Sequence, residues 1–432
     1  MSETFIVRDI GNFVIESYCE YGKEVNLSRH VPRLEDGLKP VYKRLILASL
    51  RQPDKRVKTS KLLGDTMSYY HPHSTDGCVG SVSELVHAGV FEGKGSFGYK
   101  SLQQGKDQPE AAPRYTEVKL SSKLRPLLSK LIPYVPTVVN ELDNEEPEYI
   151  PAPYPLSLQM GSFGIGIGLT VNIPAFKADS IVKAGYAALT KKSEPWKLLQ
   201  PLDGIELSDD DKRMFWLSNR GTLTYKFSVI PATEMGMKGW YITGDPSYIK
   251  PRLKQLYNMQ ADGGKVVIQD FSTGNDKKIF VARSKRIKTI TDSEVELAVH
   301  KACEVKKSFN IWVVYNGQTR PITGGDWIQK CLLNFNELVK KYKADSINKI
   351  NFEIEVYEHF KEVSDLILNT RQSYETIRKS LKLSQGIVTK IAGMKISTLR
   401  DLDPKKKLEK LVKDRDEFMK LKTQDLISEF LK

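Results

Sequence analysis

Cysteine is scarce in this chain: four among 432 residues, Cys19, Cys78, Cys303 and Cys331, far apart and with no C-x-x-C pair. That excludes a zinc ribbon or a disulfide framework and fits reduced thiols in a cytoplasm. Long apolar runs are missing too. The longest, around Phe163 to Val171, is short and full of glycine, and the N-terminus M-S-E-T-F-I-V-R-D lacks a basic region followed by an apolar stretch. Nothing in it directs the chain to a membrane. Acid is in deficit, with 53 Asp and Glu against 66 Lys and Arg, a net charge of +13. A hydrophobic content of 40% argues for folded structure rather than a disordered basic tail, so a polyanionic partner is expected. No Walker A pattern occurs, and no Cys, His or carboxylate cluster has metal-ligand spacing.

What is present begins with an amphipathic lead-in helix over residues 1–25, where Phe5, Ile6, Ile10, Phe13, Val14 and Tyr18 recur near helical spacing, suited to packing on a partner. Asp36-Gly37 predicts a turn and Pro40 the first turn of a helix with Val41, Leu45, Leu47, Ala48 and Leu50 on its apolar side. From Lys39 to Lys61 there are eight Lys or Arg and one acid, Asp54. With a second helix around Ser60 to Met67, this reads as helix-turn-helix or winged-helix material whose cations, Lys43 and Arg44 among them, grip phosphates; a solvated basic face is the alternative. In Y-Y-H-P-H-S-T-D, His71 and His73 lack a third metal ligand nearby except His87, and their setting before a helix start suits hydrogen bonds to phosphate oxygens. G-K-G-S-F-G, residues 93–98, matches a dinucleotide loop by letter but is not followed by an apolar helix, and is predicted to be a tight turn.

The pair Arg114-Tyr115, in A-A-P-R-Y-T-E-V-K-L, is the candidate reaction centre. Tyrosine attacks a phosphodiester only as phenolate, and with a free pKa of about 10 roughly one in a thousand is ionised at neutral pH. Such a nucleophile needs cations: Arg114 is adjacent, Lys119 is close in sequence, and Pro113 predicts a rigid turn. A surface tyrosine beside an arginine is the bland alternative.

D-G-L-K-P-V-Y-K-R, Y-H-P-H, G-K-G-S-F-G, A-A-P-R-Y-T-E and G-I-G-I-G-L-T-V-N-I-P, in this order from Arg29 to Pro174, resemble the breakage-reunion subunit of type IIA DNA topoisomerases, the A subunit of bacterial gyrase and topoisomerase IV. The resemblance implies that Tyr115 is the nucleophile, that Arg114 stabilises its charge, and that Arg29, Lys39, His71 and His73 hold the scissile phosphate region. It also implies that Ile173, kept extended by Pro174, is pushed between base steps as an apolar wedge. The chain departs from the pattern at Tyr42, where the family carries histidine, and at Ser74-Thr75-Asp76, which alters a helix start.

The acidic, proline-rich passage after Leu142 reads as a domain boundary. Gly161, Gly164, Gly166 and Gly168 alternate with Phe163, Ile165, Ile167 and Leu169, a strand whose bare face lets something large approach, DNA by the resemblance. Residues 200–325 alternate strands (Gly221 to Ile230, Lys265 to Phe271, Lys278 to Ala282, Phe309 to Val314) with helices (Pro251 to Met259, Ser293 to Val305). Asp209-Asp210-Asp211 contains D-x-D, but its flanks favour a solvated turn over a Mg2+ site. Between Asp326 and Gln385 there is no Pro or Gly in 60 residues, which predicts coiled coil, and a second helix starts after Asp403-Pro404.

The expected fold class is α+β multidomain: a helical arm (1–25), a winged-helix DNA-cleavage domain (26–145), an α/β tower (146–325), and a long antiparallel coiled coil with a helical dimer gate (326–432). The implied partners are double-stranded DNA, a second copy as homodimer, and an ATPase/TOPRIM subunit completing a heterotetramer, which would carry both ATP and Mg2+. The chain ends after the second helical arm with no Q-R-R-G-G-K-G-like box, so relaxation and decatenation are expected rather than negative supercoiling, as in a short, virus-encoded form. Two rivals are a tyrosine recombinase, for which His30-x-x-Arg33 speaks but the early position of Tyr115 does not, and a non-enzymatic DNA-organising coiled-coil protein.

Overall fold

The structure is a computed structural model that describes residues 9–73, 75–103, 105–272, 277–370, 372–395, 398 and 402–431, and leaves the side chains of Thr75 and Asp76 undescribed. The altered helix start at Ser74-Thr75-Asp76 therefore lies outside it. Helix α1 (Ile10–Val25) begins where the Asp9 carboxylate accepts the amides of Gly11 and Asn12. Ile10, Val14, Tyr18 and Tyr21 on it are exposed. A π-helical turn, Asn26–His30, follows. Pro40, with no amide hydrogen and a preset φ, occupies the first turn of α2 (Pro40–Arg51). Next come β1 (Val57–Lys58), α3 (Thr59–Tyr69) and α4 (Thr75–His87), then β2 (Phe91–Lys94), β3 (Phe97–Tyr99), β4 (Gln108–Glu110) and β5 (Glu117–Leu120). The strands β1, β5 and β2 form an antiparallel sheet in that order, and α2 packs on α3, α4 and β5. G-K-G-S-F-G is the turn from β2 to β3, with Gly95 and Gly98 at positive φ.

The acidic passage expected to separate domains is folded into the core instead. Strand β6 (Thr137–Val139) pairs with β7 (Glu145–Pro147), and Tyr149, Ile150, Ala152, Tyr154 and Leu156 after it are buried. A buried carboxylate ties this segment down. Asp36 accepts the amide of Leu38, two residues on, and that of Ile150, 114 residues on, each at 2.8 Å. Gly37 beside it has φ +71, and a Cβ there would stand 2.7 Å from Pro155 Cα.

Strands β8 (Ser162–Ile165) and β9 (Thr170–Ile173) end a five-stranded sheet that continues through Glu304–Asn310, Arg220–Phe227 and Ile205–Glu206. A four-stranded sheet, Val229–Glu234, Met237–Thr243, Lys278–Arg283 and Val266–Asp270, lies next in the chain with helices Pro246–Ala261 and Asp292–Ala302. The latter helix, predicted to reach Val305, stops at Ala302 because Glu304 to Asn310 is claimed by pairing with Arg220 to Lys226. The three aspartates 209–211 are the first turn of a helix rather than a solvated turn, capped by Ser208.

The chain divides into two compact units, one reaching to Phe335 and including Phe430 onward, the other Asn336–Glu429. The second holds most of the helix Gly324–Glu358, then Phe360–Asn369, Tyr374–Leu381, Gln385–Ala392, Pro404–Lys420 and most of Thr423–Leu431. Val356, Phe360, Val363, Ile377, Ile387, Val388 and Ile391 form its core, and Tyr342 meets Phe418 edge-on. The stretch without Pro or Gly that predicts coiled coil is broken at His359 and again before Ser373, whose hydroxyl accepts the Thr376 amide and starts a new helix. Among the described residues no helix is long and apolar enough to cross a membrane. The four cysteines are free thiols.

Burial raises the Asp36 carboxyl from its ordinary 3.8 to about 6, more than its two amide bonds lower it. An acid raised on folding adds most stability below its unfolded pKa and loses it as pH climbs through the folded one. Wild type should therefore lose about 3 kcal/mol relative to Asp36→Asn between about pH 4 and pH 6. Urea unfolding of both proteins across that range checks this; a constant difference contradicts it.

Candidate active site

Proline at the second position of a turn presets its φ, and Ala112-Pro113-Arg114-Tyr115 is such a turn, closed by the Tyr115 amide donating to Ala112 O at 2.8 Å. The turn sits on the start of α3, whose first amides lack helical acceptors. Thr59 N donates to Thr116 O at 3.0 Å and Ser60 N to Pro113 O at 3.3 Å, so the loop that presents Tyr115 also caps the helix. Thr116, buried, adds a hydroxyl bond to Thr59 Oγ1 at 2.7 Å. Tyr115 itself is 66% exposed, with the Arg114 guanidinium carbon 4.6 Å from its ring centroid. Lys119, expected as a second cation, is engaged elsewhere, bonded to Ser122 Oγ at 2.6 Å and 3.3 Å from Glu92.

A second group gathers at the π-helical turn. Arg29 is exposed and, among the described residues, no carboxylate pairs with it. The Lys39 ammonium donates to Phe163 O at 2.7 Å in β8. Burial first, then the charges of Lys39 and Arg29, pushes the His30 imidazole below its ordinary pKa. The bare strand face expected to admit DNA is occupied by the chain's own turn. A Cβ on Gly164 would lie 2.7 Å from His30 O, and one on Gly166 would overlap Asn26 Oδ1. Asn26 accepts from Ile167 N and donates to Ile167 O, both at 2.9 Å. The glycines thus seat the segment that carries Arg29, and Asn26 escaped the sequence reading because its partners lie 141 residues away.

Lys43 and Arg44, expected on a phosphate-facing surface, are buried on α2. Glu146 of β7 accepts Lys43 Nζ at 2.7 Å and Arg44 Nε at 3.3 Å on the same oxygen. A carboxylate over a hundred residues downstream takes both, which counting charges in α2 does not reveal. Arg44 Nη1 reaches His71 Nδ1 at 3.0 Å, and the His71 and His73 rings meet edge-on at 4.4 Å. His73 is half-buried, 3.4 Å from Glu141. Tyr42 donates to Glu84, and burial with that carboxylate raises its pKa, so the residue standing in place of histidine is committed internally.

Ile173 does not face outward. It is 2% exposed, because β-strand alternation puts it on the inner side of β9 with Val171; the outward side chains of this hairpin are Phe163 and Ile165, 60% and 66% exposed. To meet a base step Ile173 has to leave that packing. Arg33, the recombinase-like arginine, is held by Glu35 at 3.1 Å and Glu148 at 2.7 Å. Among the described residues no group of three or more His, Cys, Asp or Glu is placed to hold a metal. Asp211 accepts Thr224 N and Ser208 Oγ, and Asp209 lies 3.4 Å from Lys212, so the D-x-D does not fit a cation. Among the described residues no hydrogen bond, ion pair or ring contact joins Arg114-Tyr115 to Arg29, Lys39, His71 or His73, and the histidine pair is tied to Arg29 only through the charge that helps lower the His71 pKa.

The family model for the A subunit of DNA gyrase/topoisomerase IV matches residues 29–430. The DNA gyrase A subunit of Clostridium acetobutylicum is 25% identical over 95% of this chain and 53% of its own length. That of Thermotoga maritima is 22% identical over 93% and 54%, and that of Mycobacterium tuberculosis 30% identical over 42% and 22%. The chain spans about half the length of the relatives that it matches nearly end to end.

A methyl group at Gly166 has to displace Asn26 from both its bonds to Ile167. Gly166→Ala should destabilise the protein by about 1–3 kcal/mol. Gly80→Ala, in α4 with nothing within 4 Å of the added Cβ, should not destabilise it. Equal denaturation midpoints for the two variants contradict the close approach.

Proposed function

Because the chain belongs to the family of DNA gyrase and topoisomerase IV A subunits, we propose that it is the DNA breakage-and-reunion subunit of a type II topoisomerase, with Tyr115 as nucleophile. The observation that carries this reading is the setting of Tyr115: exposed, on a rigid proline turn clamped to a helix start, with Arg114 over its ring. The phenolate oxygen attacks a backbone phosphorus, the 3′ oxygen of the preceding deoxyribose leaves and takes up a proton, and the 5′ end remains as a phosphotyrosine. One phosphoester bond forms as one breaks, so reversal reseals the strand without an external energy source. Arg114 supports charge on the phenolate and on the phosphorane. Arg29, Lys39, His71 and His73 supply a group of cations and donors for the phosphates around the cut.

Two copies acting on opposite strands give a transient double-strand break. The metal carboxylates that this unit lacks among its described residues, and the ATP site, belong on a partner subunit with ATPase and TOPRIM parts, with which the dimer forms a heterotetramer on double-stranded DNA. ATP-dependent strand passage through the break then relaxes or unlinks DNA. On this reading the Gly324–Glu358 helix and the helices after it supply the coiled coil and dimer gate.

Tyr115→Phe removes one exposed oxygen, so folding and DNA binding should persist while the covalent adduct, trapped by denaturant on labelled duplex with the partner and Mg2+ present, disappears. Arg114→Ala should lower adduct yield roughly 10²–10³-fold. Adduct retained by Tyr115→Phe contradicts the assignment; no adduct from wild type favours a DNA-organising protein, and attachment to a 3′ phosphate favours a recombinase.

A further inference from the structure

A guanidinium is permanently charged and has only donors. Arg44 Nη1 lies 3.0 Å from His71 Nδ1, so that nitrogen must accept, and the proton of the neutral ring sits on Nε2. Arg44 is itself aimed. Its Nε donates to Glu146 Oε1, the oxygen that also takes Lys43 Nζ at 2.7 Å, while Glu146 Oε2 faces Asn140 Nδ2 at 3.4 Å. Asn140 is anchored in turn by donating to Tyr69 O, two residues before His71. The side chains of Arg44 and Glu146 are 8% and 3% exposed, so little water competes for these bonds.

We propose that Arg44, held by Glu146, is a positioning residue for His71, fixing its imidazole as the Nε2–H tautomer, a neutral donor for a phosphate oxygen of bound DNA. That phosphate is the recipient rests on the reading of the chain as a DNA-cleaving subunit; the tautomer does not. The opposite tautomer would set the ring N–H against the Arg44 guanidinium, donor against donor, and leave Nε2 with no proton to donate; His71 is 7% exposed, so the ring meets a phosphate only at the edge left open. The arrangement also reassigns Arg44: it acts through the histidine instead of gripping DNA. The other charged and titratable groups near the ring are His73, in edge contact; Arg29; and Glu141, 3.6 Å from Arg44 Nη1 and 3.4 Å from His73. Burial first, then Arg44, His73 and Arg29, holds the His71 pKa down to about 4. The ring therefore donates without carrying charge across the neutral range, and its donor does not titrate away.

The test is made on the full chain labelled with ¹⁵N-histidine, whose six histidines are resolved in long-range ¹⁵N–¹H correlation spectra, with His71→Gln assigning the signal. Wild-type His71 should be the Nε2–H tautomer from about pH 5 to pH 8 and protonate only below that range. In Arg44→Gln the tautomers should mix and the midpoint should rise, staying below the free value of about 6.5 because burial, the largest cause, persists. The ratio of variant to wild-type adduct formation by the complex with its partner, in which the pH dependence of Tyr115 cancels, should then acquire an inflection at that midpoint. A wild-type ring protonated on Nδ1, or titrating near about 6.5, overturns the proposal whether or not the variant folds. The expected spectrum in a chain that forms no adduct on DNA supports the relay and overturns the cleavage reading instead.

Discussion

Glu146 is the carboxylate on which the region around the candidate site depends. Two adjacent cations on a buried helix cannot stay unpaired, since removing one partner of a buried ion pair costs about 3–5 kcal/mol. Lys43 and Arg44 are in that position, and Glu146 meets both. The requirement forces the β6–β7 hairpin onto α2. That docking in turn places Asn140 against the end of α3 and Arg44 against His71.

The pairing sorts the basic residues into two kinds. Lys43, Arg44, Arg33 and Lys119 have carboxylates from their own chain and serve the fold. Arg29, Arg114 and Lys39 are placed by neutral contacts: a glycine-seated turn, an aromatic ring and a backbone carbonyl.

Local chemistry was legible in the sequence. Pro40 set the start of α2, Pro113 the turn under Tyr115, and the glycines of G-K-G-S-F-G the turn into β3. What was not legible depends on partners distant in sequence. Lys43 and Arg44 look like a phosphate grip until Glu146 is placed beside them. Gly164 and Gly166 signal a close approach, but only the fold reveals that the approaching group is the turn at Asn26 to His30. Ile173 and Phe163 have the same apolar character, and the strand register decides which faces inward. The helix break at His359 has no proline or glycine to announce it.

On the proposed function, Tyr115 joined to DNA through a 5′ phosphate is the state that the reaction passes through. The most direct measurement is to trap the adduct with denaturant, digest it with protease and nuclease, and sequence the surviving nucleotide-peptide by mass spectrometry. One modified peptide is expected, containing A-A-P-R-Y-T-E with a 5′-linked nucleotide on Tyr115. A nucleotide on any other side chain, or a linkage through the 3′ phosphate, contradicts the assignment.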